Sequence, residues 1–215
     1  MRALYRKLYQ FTTCVPNTDF TIHQYLLAAR PAILFATGTV EEAGKNIQAI
    51  REILEEQPLA YIFILHTESD ECGGLSAYLE AWPEVRVICS ALTARELPGY
   101  GFDCSLFPVS GEKRLNDGEL SLRFFDYPSE VHLQDGILCY EENTGIFYSS
   151  DLILRYSNAG GKHLENKWEK EIGAIDSGRV PNKEKLVLLQ RNLSMISPSF
   201  VAVGHGFCVK CEENV

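Results

Sequence analysis

The residues best suited to chemistry lie close together. His66, Glu68, Asp70 and Glu71 fall within the segment Leu65-His66-Thr67-Glu68-Ser69-Asp70-Glu71-Cys72-Gly73-Gly74. Side chains alternate along an extended segment, so His66, Glu68 and Asp70 share one side of it. Carboxylates crowded in this way repel one another unless a cation compensates them. Mixed nitrogen and oxygen donors suit iron, manganese or zinc, and too little sulfur is aligned here for a thiolate site. A solvated acidic loop with a lone histidine has the same spacing, and spacing alone leaves both readings open.

The elements around this segment aim it. Ala60-Tyr61-Ile62-Phe63-Ile64-Leu65 is a short apolar run that predicts a buried strand. A buried strand delivers its end to one fixed place, where sites of α/β proteins commonly sit. Two more apolar strands end in polar candidates: Tyr148-Ser149-Ser150-Asp151 and Val203-Gly204-His205-Gly206. His132 stands in the loop Pro128-Ser129-Glu130-Val131-His132-Leu133-Gln134-Asp135. Tyr25, Tyr127 and Tyr148 lie near these segments as candidate hydrogen-bond donors, with core packing as the plainer role.

Periodicity fills in the rest. Strands are expected over 19–27 and 32–36, a helix from Val40 to Gln57, and a short helix over 73–82. Val85–Cys89 is the next strand, and the alternation indicates βαβ-like layering. From about Phe102 short strands separated by turns follow: 105–109, 119–125, 136–140 and 145–149 read as an antiparallel run. Asn182–Met195 returns to a helical period, and Phe200–Val203 is a last strand. His23 is expected to be structural and His163 to face solvent.

Composition bounds the function. The 215 residues can bury a substantial core, and one domain, 1–215, is the simplest reading. A net charge of −9 argues against nucleic acid or an anionic membrane as a partner. No apolar stretch approaches the roughly 20 residues that span a bilayer, and a cytoplasmic protein is expected. The seven cysteines are odd in number and scattered, unlike a secreted disulfide framework. Cys208-Val209-Lys210-Cys211 is a CxxC with no second pair to complete a zinc site, and it is expected to be a tail with two incidental thiols.

Taken in order, the four pieces resemble the metallo-β-lactamase superfamily from about Phe20 to Phe207. The resemblance implies an α/β (α+β) fold: an αββα sandwich of two mixed β-sheets flanked by helices, with metals at one edge. Its hydrolases carry His-x-His-x-Asp-His; here the residues are His66-Thr67-Glu68-Ser69-Asp70-Glu71. Glutamate at the second histidine position resembles the flavodiiron branch. The carry-over makes metal ligands of His66, Glu68, Asp70, His132, Asp151 and His205, with Asp151 as the bridge. Glu71 stands where both branches have histidine, so it either ligates through oxygen or turns away.

The implied cofactor is two Fe ions, with Zn or Mn as alternatives. Glu68 adds a hard anionic oxygen donor, which favours iron over zinc relative to an all-histidine site. The implied ligand is O2 or NO. The 215 residues hold no FMN domain of the flavodiiron kind, so the resemblance points to an external electron donor or, as in stand-alone oxygen-binding diiron proteins, to oxygen sensing with a signalling protein as partner. A homodimer is what flavodiiron relatives imply. The alternatives are a metal-dependent hydrolase of the same superfamily, which Glu68 argues against, and a non-catalytic interaction module with a degenerate site, which Glu71 keeps open.

Overall fold

The computed structural model describes residues 2–128 and 134–212. Its first sheet begins with β1 (Leu8–Cys14), β2 (Thr21–Leu27) and β3 (Ala32–Phe35), paired antiparallel. Helix α1 (Val40–Leu54) crosses over to β4 (Leu59–Phe63), which pairs parallel with β3. Thr39 starts α1 with a reciprocal cap: its side chain accepts from the Glu42 amide, and its own amide donates to Glu42 Oε2 at 2.6 Å. Two short helices follow, α2 (Ser69–Cys72) and α3 (Leu75–Ala81), then β5 (Arg86–Ser90) and α4 (Ala91–Glu96). A one-turn 3-10 helix over Leu97–Tyr100 leads to β6 (Ser105–Val109). The sheet order is β1-β2-β3-β4-β5-β6.

The second sheet takes β7 (Arg114–Asp117), β8 (Leu120–Asp126), β9 (Ile137–Glu141), β10 (Ile146–Ser150), β11 (His163–Asn166), β12 (Phe200–Val203) and β13 (Cys208–Cys211). Its order is β11-β13-β12-β10-β9-β8-β7. Two helices pack on its outer face, α5 (Trp168–Ala174) and α6 (Lys183–Leu193). Among the described residues, both sheets mix parallel and antiparallel pairs, as expected of the αββα sandwich.

Alternation along β4 shows how the layers form. Tyr61, Phe63 and Leu65 point into the core between the sheets. Ile62 and Ile64 point the other way, into the cluster beneath α1 and α3 with Ala43, Ile50, Leu75 and Tyr78. Both faces are buried, so the strand reads as a continuous apolar run. The carboxyl ends of β4, β10 and β12 and the start of β2 meet at one edge of the sandwich.

Some expectations need correcting. Residues 105–109 belong to the first sheet, where β6 runs parallel to β5 in the register Arg86↔Ser105. The crossover is α4, capped by the Ser90 side chain accepting from the Thr93 amide at 3.1 Å. Cys208–Cys211 is no tail but an inner strand between β11 and β12. Three residues apart on a strand, its two thiols leave from opposite faces, and all seven cysteines are free. The elements β1, β7, β11, α4 and α5 gave too weak a pattern to be read. In β1, for instance, only Leu8 and Phe11 are buried, which breaks the period of two.

Candidate metal centre

Each candidate follows the end of an apolar strand. His66 lies just past β4 and is 1% exposed. Glu68 is the residue before α2, and Asp70 and Glu71 sit on that helix. Asp151 follows β10 directly, after Ser150, whose φ of 40° turns the chain out of the sheet. His205 follows β12 by two residues, between Gly204 and Gly206. His132 lies outside the described residues.

The side chains converge. His66 Nε2 is 3.3 Å from Glu68 Oε2 and 4.0 Å from Asp151 Oδ2. His66, Glu68 and Asp151 each offer a ligand atom within 4.8 Å of the others. His205 Nε2 extends the cluster, 3.1 Å from Asp151 Oδ1 and 3.5 Å from Asp70 Oδ2. Asp151 thus touches both imidazoles, one through each oxygen. Glu68 is the open wall, with its side chain 44% exposed.

Glu71 has other partners. Its Oε1 accepts hydrogen bonds from the Tyr148 hydroxyl at 2.7 Å and from Ser150 Oγ. Its Oε2 is buried and makes no hydrogen bond among the described residues. Its backbone carbonyl accepts from the Thr37 amide at 2.7 Å and the Thr37 hydroxyl at 3.0 Å, which pins α2 to the loop after β3.

Two of the three tyrosines have already spent their single hydroxyl proton. Tyr148 donates to Glu71, and Tyr25 donates to the Val203 carbonyl at 2.7 Å. Neither is free to donate to a ligand at the centre. Tyr127 is buried, which raises its phenol. Two contributors gave no signal in the sequence: the Phe20 ring and the Thr21 carbonyl, both against His205. Their types carry no metal chemistry, and only the fold brings them there.

The electrostatics fit a cation. Burial alone would push the His66 imidazole down, but the contact with Glu68 and the charges of Glu71 and Asp151 outweigh it and lift the group to about 9. His205 is raised too: burial opposes this, and the contact with Asp151 and its charge prevail. Burial raises Asp70 despite the pull of His205. Asp151 runs the other way, since the two histidines more than offset its burial and hold it below the usual carboxylate range. Clustered carboxylates therefore draw protons onto both imidazoles. A divalent ion replaces such protons with a stronger charge, and two imidazoles with several hard oxygens are a donor set that fits iron, manganese or zinc.

Strand ends from two packed mixed sheets, converging on an imidazole and carboxylate cluster at one edge, define an αββα sandwich with a candidate metal centre. The model of the ODP family beta lactamase matches residues 20–206, and the chain belongs to that family, within the flavodiiron branch of the metallo-β-lactamase superfamily. The chain is 24% identical over 197 residues to the rubredoxin-oxygen oxidoreductase of Megalodesulfovibrio gigas, covering 86% of this chain and 48% of that protein. It is 26% identical over 148 residues to the nitric oxide reductase of Moorella thermoacetica, covering 67% of this chain and 35% of that one. The chain thus spans half or less of the length of these relatives. Among solved structures, rubredoxin oxygen:oxidoreductase from Desulfovibrio gigas superposes with a TM-score of 0.77 at 17% identity, over 95% of this chain and 56% of that one. The flavodiiron protein from Giardia intestinalis gives 0.70 at 14%, over 95% and 54%. These likenesses establish the fold.

Proposed function

We propose that the converging loops hold two metal ions, iron in the working protein, and that the pair binds and reduces O2 or NO. The observation that carries this reading is the trio His66, Glu68 and Asp151, with ligand atoms within 4.8 Å of one another, joined through Asp151 to His205 and Asp70. His66, Glu68 and His132 would hold the first ion and Asp70 and His205 the second, with Asp151 shared between them. Glu71 is the remaining candidate ligand: Tyr148 and Ser150 take its Oε1, and its buried Oε2 is the oxygen left over. The relatives, a rubredoxin-oxygen oxidoreductase and a nitric oxide reductase, support the substrate class. The core shared by both sheets supports residues 1–215 acting as one domain.

A reduced iron pair bound here supplies electrons to a diatomic ligand. The chain's own residues do the rest. His66 and His205 release their protons as the ions enter. Asp151, with one oxygen toward each imidazole, would offer one oxygen to each ion. Glu68 marks the open side through which a small ligand enters. The electrons that restore the reduced state come from a redox partner, on another domain or another protein.

The test is to load the metal-free protein anaerobically with Fe(II), count bound iron, and follow O2 and NO consumption by stopped flow with a supplied reductant. Two irons per chain and reductant-dependent consumption are expected. Stoichiometric uptake of O2 without turnover would make the chain a sensor. Tightly held zinc with hydrolysis of ester or thioester substrates, and no consumption of either gas, would overturn the proposal.

A further inference from the structure

The start of β2 grips the His205 loop at several independent points. The Phe20 ring stacks on the His205 imidazole, with centroids 4.3 Å apart and planes 24° apart. The next residue, Thr21, accepts a hydrogen bond from His205 Nδ1 on its backbone carbonyl at 2.9 Å. A carbonyl can only accept, so Nδ1 carries a proton and keeps it when an ion takes Nε2; without the ion, Nε2 also carries a proton and pairs with Asp151 Oδ1 at 3.1 Å. The Thr21 hydroxyl accepts from the Gly206 amide at 3.1 Å, and His23 Nε2 donates to the Gly206 carbonyl at 2.9 Å. The His23 amide donates to the Gly204 carbonyl, also at 2.9 Å.

These contacts divide the work. The hydrogen bonds to Gly204 and Gly206 place the backbone of the loop. The bond to the Thr21 carbonyl sets the tautomer and one direction in the ring plane. Neither stops the imidazole from rocking about the line of its Nδ1 bond, and a flat face laid against the ring does. Phe20 is the ring that does so, and Tyr156, 75% exposed with its centroid 5.6 Å from that of Phe20, flanks it on the outside.

We propose that Phe20 is a positioning residue for the second metal ion, acting through the plane of the His205 ring. This rests on the metal-centre reading and adds a residue that carries no ligand atom. Partners of a ligating histidine of this kind typically alter metal affinity by roughly 10- to 100-fold when removed. The Phe20→Ala protein is therefore expected to bind the first Co(II) as the unaltered protein does and the second at least about 10-fold more weakly. Phe20→Tyr, which keeps the flat ring, is expected to restore it, and Phe20→Leu, which keeps apolar bulk without the face, to restore it only in part.

The experiment is a Co(II) titration of the metal-free full chain and its three variants, followed in the visible absorption bands. It is paired with long-range proton–nitrogen NMR of the His205 imidazole before metal is added. Loss confined to the second ion, with a weakened, faster-exchanging His205 Nδ1–H bond to the Thr21 carbonyl in Phe20→Ala and Phe20→Leu, is the expected result. Unchanged titrations and an unchanged His205 Nδ1–H signal in both variants would overturn the proposal. Equal loss of both ions in Phe20→Ala and Phe20→Tyr would do so as well, because the ring face would then be irrelevant. Failure of the unaltered protein to bind two ions sinks the metal centre instead, and the NMR comparison still reports whether Phe20 sets the imidazole.

Discussion

The Tyr148 hydroxyl donates to Glu71 Oε1 at 2.7 Å, so the residue that departs from the family's metal motif is tied to the interior. Ser150 donates to the same oxygen from one residue before Asp151. Burial raises the Glu71 carboxyl, against the charge of His66 and these two donors. A buried acid with one oxygen doubly bonded is a structural element as well as a neighbour of the centre. Tyr148 itself packs among Tyr25, Phe35 and Phe63, so the acidic loop is coupled directly to the inter-sheet core.

Tyr148→Phe removes one donor from that acid and keeps the ring. Leaving a buried acceptor short of a partner costs about 1–3 kcal/mol. The metal-free variant is expected to unfold at correspondingly lower denaturant, with an unchanged slope, in a urea titration followed by circular dichroism. An unaltered midpoint would show that Glu71 does not depend on this bond.

Asp151→Asn tests the bridge. The amide keeps the shape but halves the oxygen donors and removes the charge that meets both His66 and His205. Bound metal is expected to fall from two ions per chain to fewer than one, measured by elemental analysis after desalting. Retention of both ions would assign Asp151 to packing and leave the pair without its shared ligand.

The sequence made the apolar strands and their polar ends readable, because β4, β10 and β12 are buried on both faces and break abruptly into histidine or aspartate. That was enough to bring His66, Glu68, Asp70, Asp151 and His205 to one edge. Half-exposed elements were not readable. The sheet membership of β6 depends on pairing with β5 across a helix, which no local pattern encodes. Cys208–Cys211 looked like a tail because its strand character comes from neighbours on both sides, β11 and β12. Phe20 and Thr21 were invisible for another reason. Their role lies in a ring face and a backbone carbonyl, and neither is a residue type that announces chemistry.

His23 gives a pH dependence that is separate from the ligand set. Burial lowers its imidazole from 6.5 to about 4; the bond to Gly206 opposes this and the charge of His205 adds to it. The folded state therefore binds a proton less readily than the unfolded chain. The stability this represents is fully present above the unfolded value of about 6.5 and is lost as pH falls toward about 4, with a span on the order of 3 kcal/mol. The His23 ring is expected to titrate near pH 4 by NMR and to stay neutral at pH 6. A midpoint near 6.5 would mean that burial does not hold the ring in its neutral form.

Gly206 is where the His205 loop tolerates least. Its φ is +81°, which L side chains rarely adopt, and an added Cβ would lie 2.0 Å from the Arg155 carbonyl oxygen. That carbonyl belongs to the chain leaving Asp151, and the Arg155 amide donates to the His205 carbonyl at 3.2 Å, so the two ligand loops touch at this point. Gly206→Ala cannot relieve the clash by rotating a side chain; one of the two backbones must move. The expected cost is roughly 2 kcal/mol or more. Because the displaced backbone carries His205 or follows Asp151, the loss should appear in metal binding as well as in stability. Thermal unfolding of the metal-free and Co(II)-loaded variant measures both: a lowered midpoint with a smaller metal-induced rise is expected. A variant as stable as the parent, with the full rise on adding metal, would show that the loops are not locked together here.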